Sequence, residues 1–148
     1  TLFVVPKISD IKISKKIKAD CVEIHTGKFC NLMNQKRIKK FEFKKIAKAA
    51  KYAKKLHLRV HAGHGLTYES AYQISRINEI SEFNIGHFIV SESLFIGLSN
   101  VIKKIKKMTL LFVLVCTQRN LAKKSQSAFI IIYQFFLFHN IATTFCLS

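Results

Sequence analysis

Three short motifs bring together the residue types that proton transfer and phosphate binding require: Glu23-Ile24-His25-Thr26-Gly27, Ala62-Gly63-His64-Gly65-Leu66 and Asn84-Ile85-Gly86-His87. In the first, alternation along an extended strand sends Glu23 and His25 to the same side. A carboxylate and an imidazole then face one site; a buried Glu paired with Lys or Arg accounts for the same residues equally well. In the second, flanking glycines let backbone amides approach a ligand and leave His64 exposed. An imidazole titrates near neutrality, so His64 is able to give or take a proton at pH 7. Alone, a His in a Gly-rich loop is more often a plain loop residue. The third motif repeats the logic: the Gly86 or His87 amide and the His87 ring suit a phosphate at the start of the next helix. Two successive Gly-His turns weigh more than either one.

His57, His61 and His64 raise the thought of a metal site. They would be spread along extended chain at ~3.3 Å per residue, and no Cys or carboxylate stands at a supporting spacing. No metal is expected there.

The elements that must hold these motifs follow from hydrophobic period. Leu2 to Val5, Cys21 to His25, Leu58 to Ala62 and Phe83 to Ile85 read as strands. Helical stretches alternate with them: Ser9 to Ala19, a run with Phe43, Ile46, Ala47, Ala50, Ala53 and Leu56 on one stripe, Thr67 to Ile77 with Thr67 or Ser70 near its cap, and Ser91 to Lys107. The last carries Leu94, Leu98, Val101, Ile105 and Met108 on one side. Four β-then-α units imply a parallel sheet covered by helices. That is half of an eight-unit barrel, in which active sites form at the C-terminal strand ends and the loops after the last strands bind phosphate. An open doubly wound sheet is the alternative.

The chain of 148 residues is long enough for one domain, and 49% of it is apolar. Its formal charge is +17. All 8 acids and 22 of the 25 Lys and Arg lie at or before Met108. Such a balance attracts nucleic acid, anionic membranes or small phosphorylated substrates. Lysine pairs such as Lys44-Lys45 and Lys54-Lys55 on solvent faces also fit mere compositional bias, and a phosphorylated substrate is favoured over nucleic acid. The four cysteines form no CxxC pair, and with no signal peptide at the start a cytoplasm with free thiols is the default.

The three motifs, with Thr67-Tyr68 after the second and Glu82-Phe83 before the third, resemble the last three strand-end signatures of the pyridoxine 5'-phosphate synthase family, in order and separation. Thr1-Leu2-Phe3-Val4 is similar to the strand before them. The resemblance covers Thr1 to Met108. It implies the C-terminal half of a (β/α)8 TIM barrel, a transferase of vitamin B6 biosynthesis. The enzyme condenses 1-deoxy-D-xylulose 5-phosphate with 3-amino-2-oxopropyl phosphate to pyridoxine 5'-phosphate, phosphate and water. It further implies a cytoplasmic homo-oligomer, typically an octamer, without metal or organic cofactor. By position, His64 matches the family's proton donor, and Gly65, Gly86 and His87 match its binding positions for the amino-oxopropyl phosphate. Glu23 matches a carboxylate that stabilises a transition state, as cationic imine-like species would require.

Val5 and Lys7 stand where the family often has Asp, His61 replaces an Asn, Phe29 a Tyr, and Glu92 an Arg. The family's first four β/α units are not represented, so the chain reads as one that has lost its beginning. Half a barrel leaves two open sheet edges and half a site, and the isolated chain is expected to be inactive. Residues 109–148 fall outside the resemblance. Thr109 to Cys116 is too short to span a bilayer. Ala128 to Ser148 is a marginal membrane helix, and translation in a shifted frame accounts for it better. The rival functions are another phosphate-binding barrel enzyme, or a non-enzymatic basic protein bound to membrane or nucleic acid.

Overall fold

The computed structural model describes residues 1–119 and 129–131. In chain order the elements are β1 (Leu2–Val4), α1 (Ile8–Lys16), β2 (Cys21–His25), α2 (Gly27–Asn34), α3 (Lys40–Lys55), β3 (Arg59–Gly63), α4 (Tyr68–Ile74), β4 (Glu82–Asn84), α5 (His87–Ile96), α6 (Leu98–Arg119) and β5 (Phe129–Ile131). All strand pairs are parallel, and the sheet order is β1-β2-β3-β4-β5. Sequential order without a reversal is unlike the doubly wound alternative, whose defining feature is a point where the order turns back.

The two sheet faces have opposite chemistry. Val22, Ile24, Val60, Ala62 and Phe83 point one way and are buried with Ile11, Ile46, Ala50, Ala53, Ile74, Ile89, Val101 and Ile105 of the helices. Adjacent strands in register place Phe3, Glu23, His61 and Glu82 in one row on the other face. His25, Gly63 and Asn84 form the next row toward the strand ends. Polar groups thus line the face away from the helices.

Helix ends are set locally. In α1, α2 and α3 the chain leaves through Lys18, Lys36 and His57, each with φ between 53° and 59°. Each end carries the paired backbone bonds of a Schellman motif, such as Leu58 N to Ala53 O at 3.1 Å. His57 is therefore a helix terminator. Thr67 caps α4 through a capping box with Ser70.

Three elements differ from the sequence reading. Helix α2 begins where the chain reads as a mere stop, because Phe29, Cys30 and Met33 supply a buried side. The apolar stripe of α3 includes Ala49, with Phe43, Ala47 and Leu56 at its margin. The last helix is two: Gly97, at φ 80°, ends α5 and lets α6 start in a new direction. That break leaves Leu94 and Leu98 82% and 52% exposed, while Val101 and Ile105 keep the buried stripe. Helix α6 runs past Met108 to Arg119, and Phe129–Ile131, within the expected apolar run, forms β5 against β4. The rest of the run from Ala128 to Ser148 lies outside the described residues. Among those described, no helix is long and apolar enough to cross a membrane.

Candidate active site

The C-terminal ends of β2, β3 and β4 gather the three motifs along one edge of the sheet. Glu23 lies one register row below Gly63 and Asn84, yet its carboxylate leans up to meet them. Asn84 Nδ2 donates to Glu23 Oε2 at 2.6 Å, and Glu23 Oε1 covers the α-carbon of Gly63 so closely that a Cβ there would collide with it. Half-burial pushes the Glu23 carboxyl above the usual range; the Asn84 amide and the nearby His64 imidazole pull it back. Asn84 Oδ1 is buried without a hydrogen-bond partner among the described residues. An unpartnered buried acceptor of this kind suits a ligand's N–H or O–H.

His64 follows β3 in the left-handed region, φ 79°, and Gly65 continues there at φ 75°. For a non-glycine residue this costs about 1–2 kcal/mol. The turn sends the His64 ring back over Gly27 and onto His25, with ring centroids 4.2 Å apart and planes 25° from parallel. Phe3 closes against both rings at 5.1 and 6.3 Å. The Gly27 amide donates to His25 Nδ1 at 3.1 Å, which leaves the hydrogen of the neutral ring on Nε2. Burial, then the neighbouring His64, holds the His25 pKa below its ordinary value.

Thr26 ties the two strand ends together. Its amide donates to Gly63 O at 2.8 Å, and its buried hydroxyl lies 2.8 Å from both Gly63 O and His64 O. One row further in, His61 is 6% exposed, with Nδ1 3.2 Å from Glu82 Oε1. Burial lowers the His61 pKa and raises that of Glu82, disfavouring charge on both partners. The pair therefore adds less charge to the site than its residue types imply.

Of the residues singled out in sequence, Glu23 meets Gly63 and Asn84, and His64, next after Gly63, stacks on His25. Gly65 is exposed in the His64 turn, 3.7 Å from the Gly27 α-carbon when given a Cβ. Gly86 is the N-cap of α5 with no side-chain cap bond, and His87 opens that helix exposed to solvent, one strand along from His64. A free helix start of this kind presents amides to an anion. Sequence reasoning misses Thr26, the His25–His64 stack and the Asn84 side chain as site members. Among the described residues no three His, Cys, Asp or Glu side chains are grouped to hold a metal ion.

Comparison with known proteins finds relatives over most of the described residues. The family model described as pyridoxal phosphate biosynthesis protein PdxJ matches residues 1–110. The pyridoxine 5'-phosphate synthase of Pelagibacter ubique is 49% identical over 109 residues, which cover 74% of this chain and 46% of that protein. The synthase of Sulfurihydrogenibium sp. is 46% identical over 110 residues, 74% of this chain and 44% of the relative. That of Zymomonas mobilis is 43% identical over 106 residues, 72% and 41%. The chain spans somewhat under half the length of these curated relatives. With its three strand-end motifs inside the matched region, the chain belongs to the PdxJ family of pyridoxal phosphate biosynthesis proteins.

Proposed function

We propose that this chain supplies the C-terminal half of a (β/α)8 barrel that makes pyridoxine 5'-phosphate from 1-deoxy-D-xylulose 5-phosphate and 3-amino-2-oxopropyl phosphate. The observation that carries the reading is the strained turn that lays the His64 imidazole on His25 directly after Gly63, over which the Glu23 carboxylate lies, at the strand ends. In this reading His64 gives the proton that lets a hydroxyl leave as water. Glu23 stabilises the cationic imine formed as the amine of one substrate condenses with the ketone of the other. Asn84 holds one Glu23 oxygen, and the other lies over Gly63. Gly65, Gly86 and His87 bind the phosphate of the amino-oxopropyl substrate, helped by the start of α5. Sequential parallel strand order and the polar inner face support the barrel. A cytoplasmic homo-oligomer fits the surface at Leu94 and Phe95, 82% and 84% exposed, which a neighbouring subunit would cover.

The test joins this chain to the N-terminal half of the Pelagibacter relative and measures pyridoxine 5'-phosphate from the two substrates. The 148-residue chain alone should give none, because acid–base groups acting as a unit fail together when several are missing. The joined barrel should give turnover that His64→Asn lowers by about 10²–10⁴-fold. A joined barrel that folds, binds both substrates and stays inactive would sink the proposal.

A further inference from the structure

The His64 turn is held from a distance. Thr26 is wholly buried at the junction of β2 and α2, 38 residues earlier in the chain. Its backbone amide donates to Gly63 O at 2.8 Å, and its hydroxyl, 2.8 Å from both Gly63 O and His64 O, reaches the His64 carbonyl that no backbone amide of Thr26 serves. Cys30, buried one helical turn on in α2, has its sulfur 3.8 Å from Thr26 Oγ1 and 3.7 Å from His64 O. Thiol and hydroxyl thus form a short chain of donors ending on the carbonyl of His64, the residue whose φ is least natural for it.

We infer that Thr26 is the positioning residue of His64: its hydroxyl, backed by the Cys30 thiol, fixes the His64 carbonyl and so the left-handed turn that lays the imidazole on His25. Without that anchor His64 relaxes to negative φ, and its ring leaves the space over Gly27. The catalytic meaning rests on the proton-donor reading of His64; the geometric content does not. Thr26 touches no reacting atom in this scheme.

The experiment uses the 148-residue chain with isotope-labelled histidine rings. Thr26→Val keeps size and branching but removes the hydroxyl. It should preserve the sheet amide resonances while losing the ring-to-ring NOEs between His25 and His64. Thr26→Ser should restore those NOEs. Wild-type NOEs in Thr26→Val, or their loss in a folded Thr26→Ser, would overturn the inference. Should Thr26→Val not fold, Cys30→Ala decides: it weakens the same NOEs if the donor chain operates and leaves them unchanged if it does not. In a joined active barrel, Thr26→Val should lower kcat by up to about 10²-fold with KM held, the size expected for a misplaced catalytic group. NOE loss with an unchanged kcat would refute the role given to His64 and leave the positioning intact.

Discussion

Asn84 and Glu23 make a 2.6 Å hydrogen bond across two strands that are not neighbours, because the strand between them offers only Gly63 at the crossing point. A Cβ on Gly63 would meet both the Glu23 carboxylate and, at 3.2 Å, the Asn84 Cβ. Gly63 is the last residue of β3 and is absent from the positive-φ positions. Its value is space, and conformational freedom plays no part.

Gly63→Ala should therefore fold with the Glu23–Asn84 bond broken and Glu23 displaced. Loss of a half-buried, charge-assisted bond plus local overpacking places the cost at about 1–3 kcal/mol. Urea unfolding of the chain measures it. A cost near zero would mean that Glu23 swings aside freely.

Asn84→Ala isolates the electrostatic part of the same contact. The amide lowers the Glu23 pKa against the opposing effect of burial, so its removal should raise the titration midpoint of Glu23. Carboxyl-carbon NMR across the acid range reads this directly. A midpoint that stays or falls would show that the amide does not stabilise the carboxylate.

What the sequence made legible, and what it hid, divides along one physical line. The strand Cys21–His25 and the stripe of α3 announce themselves through local period. Glu23 and His64 announce themselves by type at a strand end. The groups that orient them do not: Thr26 meets His64 across 38 residues, and Asn84 meets Glu23 across 61. Such pairings depend on which strands become neighbours, and no short spacing encodes that. Gly97 misleads for the opposite reason. The apolar stripe continues through it in sequence, while its φ of 80° ends one helix and begins another.

The His25–His64 stack should make the chain sensitive to mild acid. Burial, then the neighbouring His64, holds the His25 pKa below its ordinary value of 6.5 in the fold, so the unfolded chain binds more protons in the window between the two pKa values. Stability from His25 is then present above about pH 6.5 and is lost as pH falls through the lowered folded pKa. Glu23 and Glu82, with raised pKa values, push the opposite way as they take up protons. A difference measurement separates these effects. Against His25→Phe, which keeps a ring on His64, the wild-type chain should lose stability progressively as pH is lowered below neutrality. Paired thermal melts across that range check it, and a constant difference would place the His25 pKa at its ordinary value.

The two Gly-His turns should fail in different ways when each histidine is changed in a joined active barrel. His64 stands on a strained turn directly after Gly63, within reach of the Glu23 charge, and in the proposed scheme it is the proton donor. General acid help is typically worth about 10²–10⁴-fold in rate. His64→Asn should therefore cut kcat by that order while KM stays within a few fold, since Asn keeps much of the size and polarity. His87 opens α5 in solvent at negative φ and, among the described residues, lacks the stacked ring partner that His64 has. In the proposed scheme its contribution is to phosphate binding at a helix start, which acts on ground state and transition state alike. His87→Asn should raise KM for the amino-oxopropyl phosphate and leave kcat nearly unchanged. Steady-state kinetics of both variants with each substrate varied in turn makes the comparison. Near-normal kcat in His64→Asn, or the same pattern of failure in both variants, would mean that the proposed division between proton transfer and phosphate binding is mistaken.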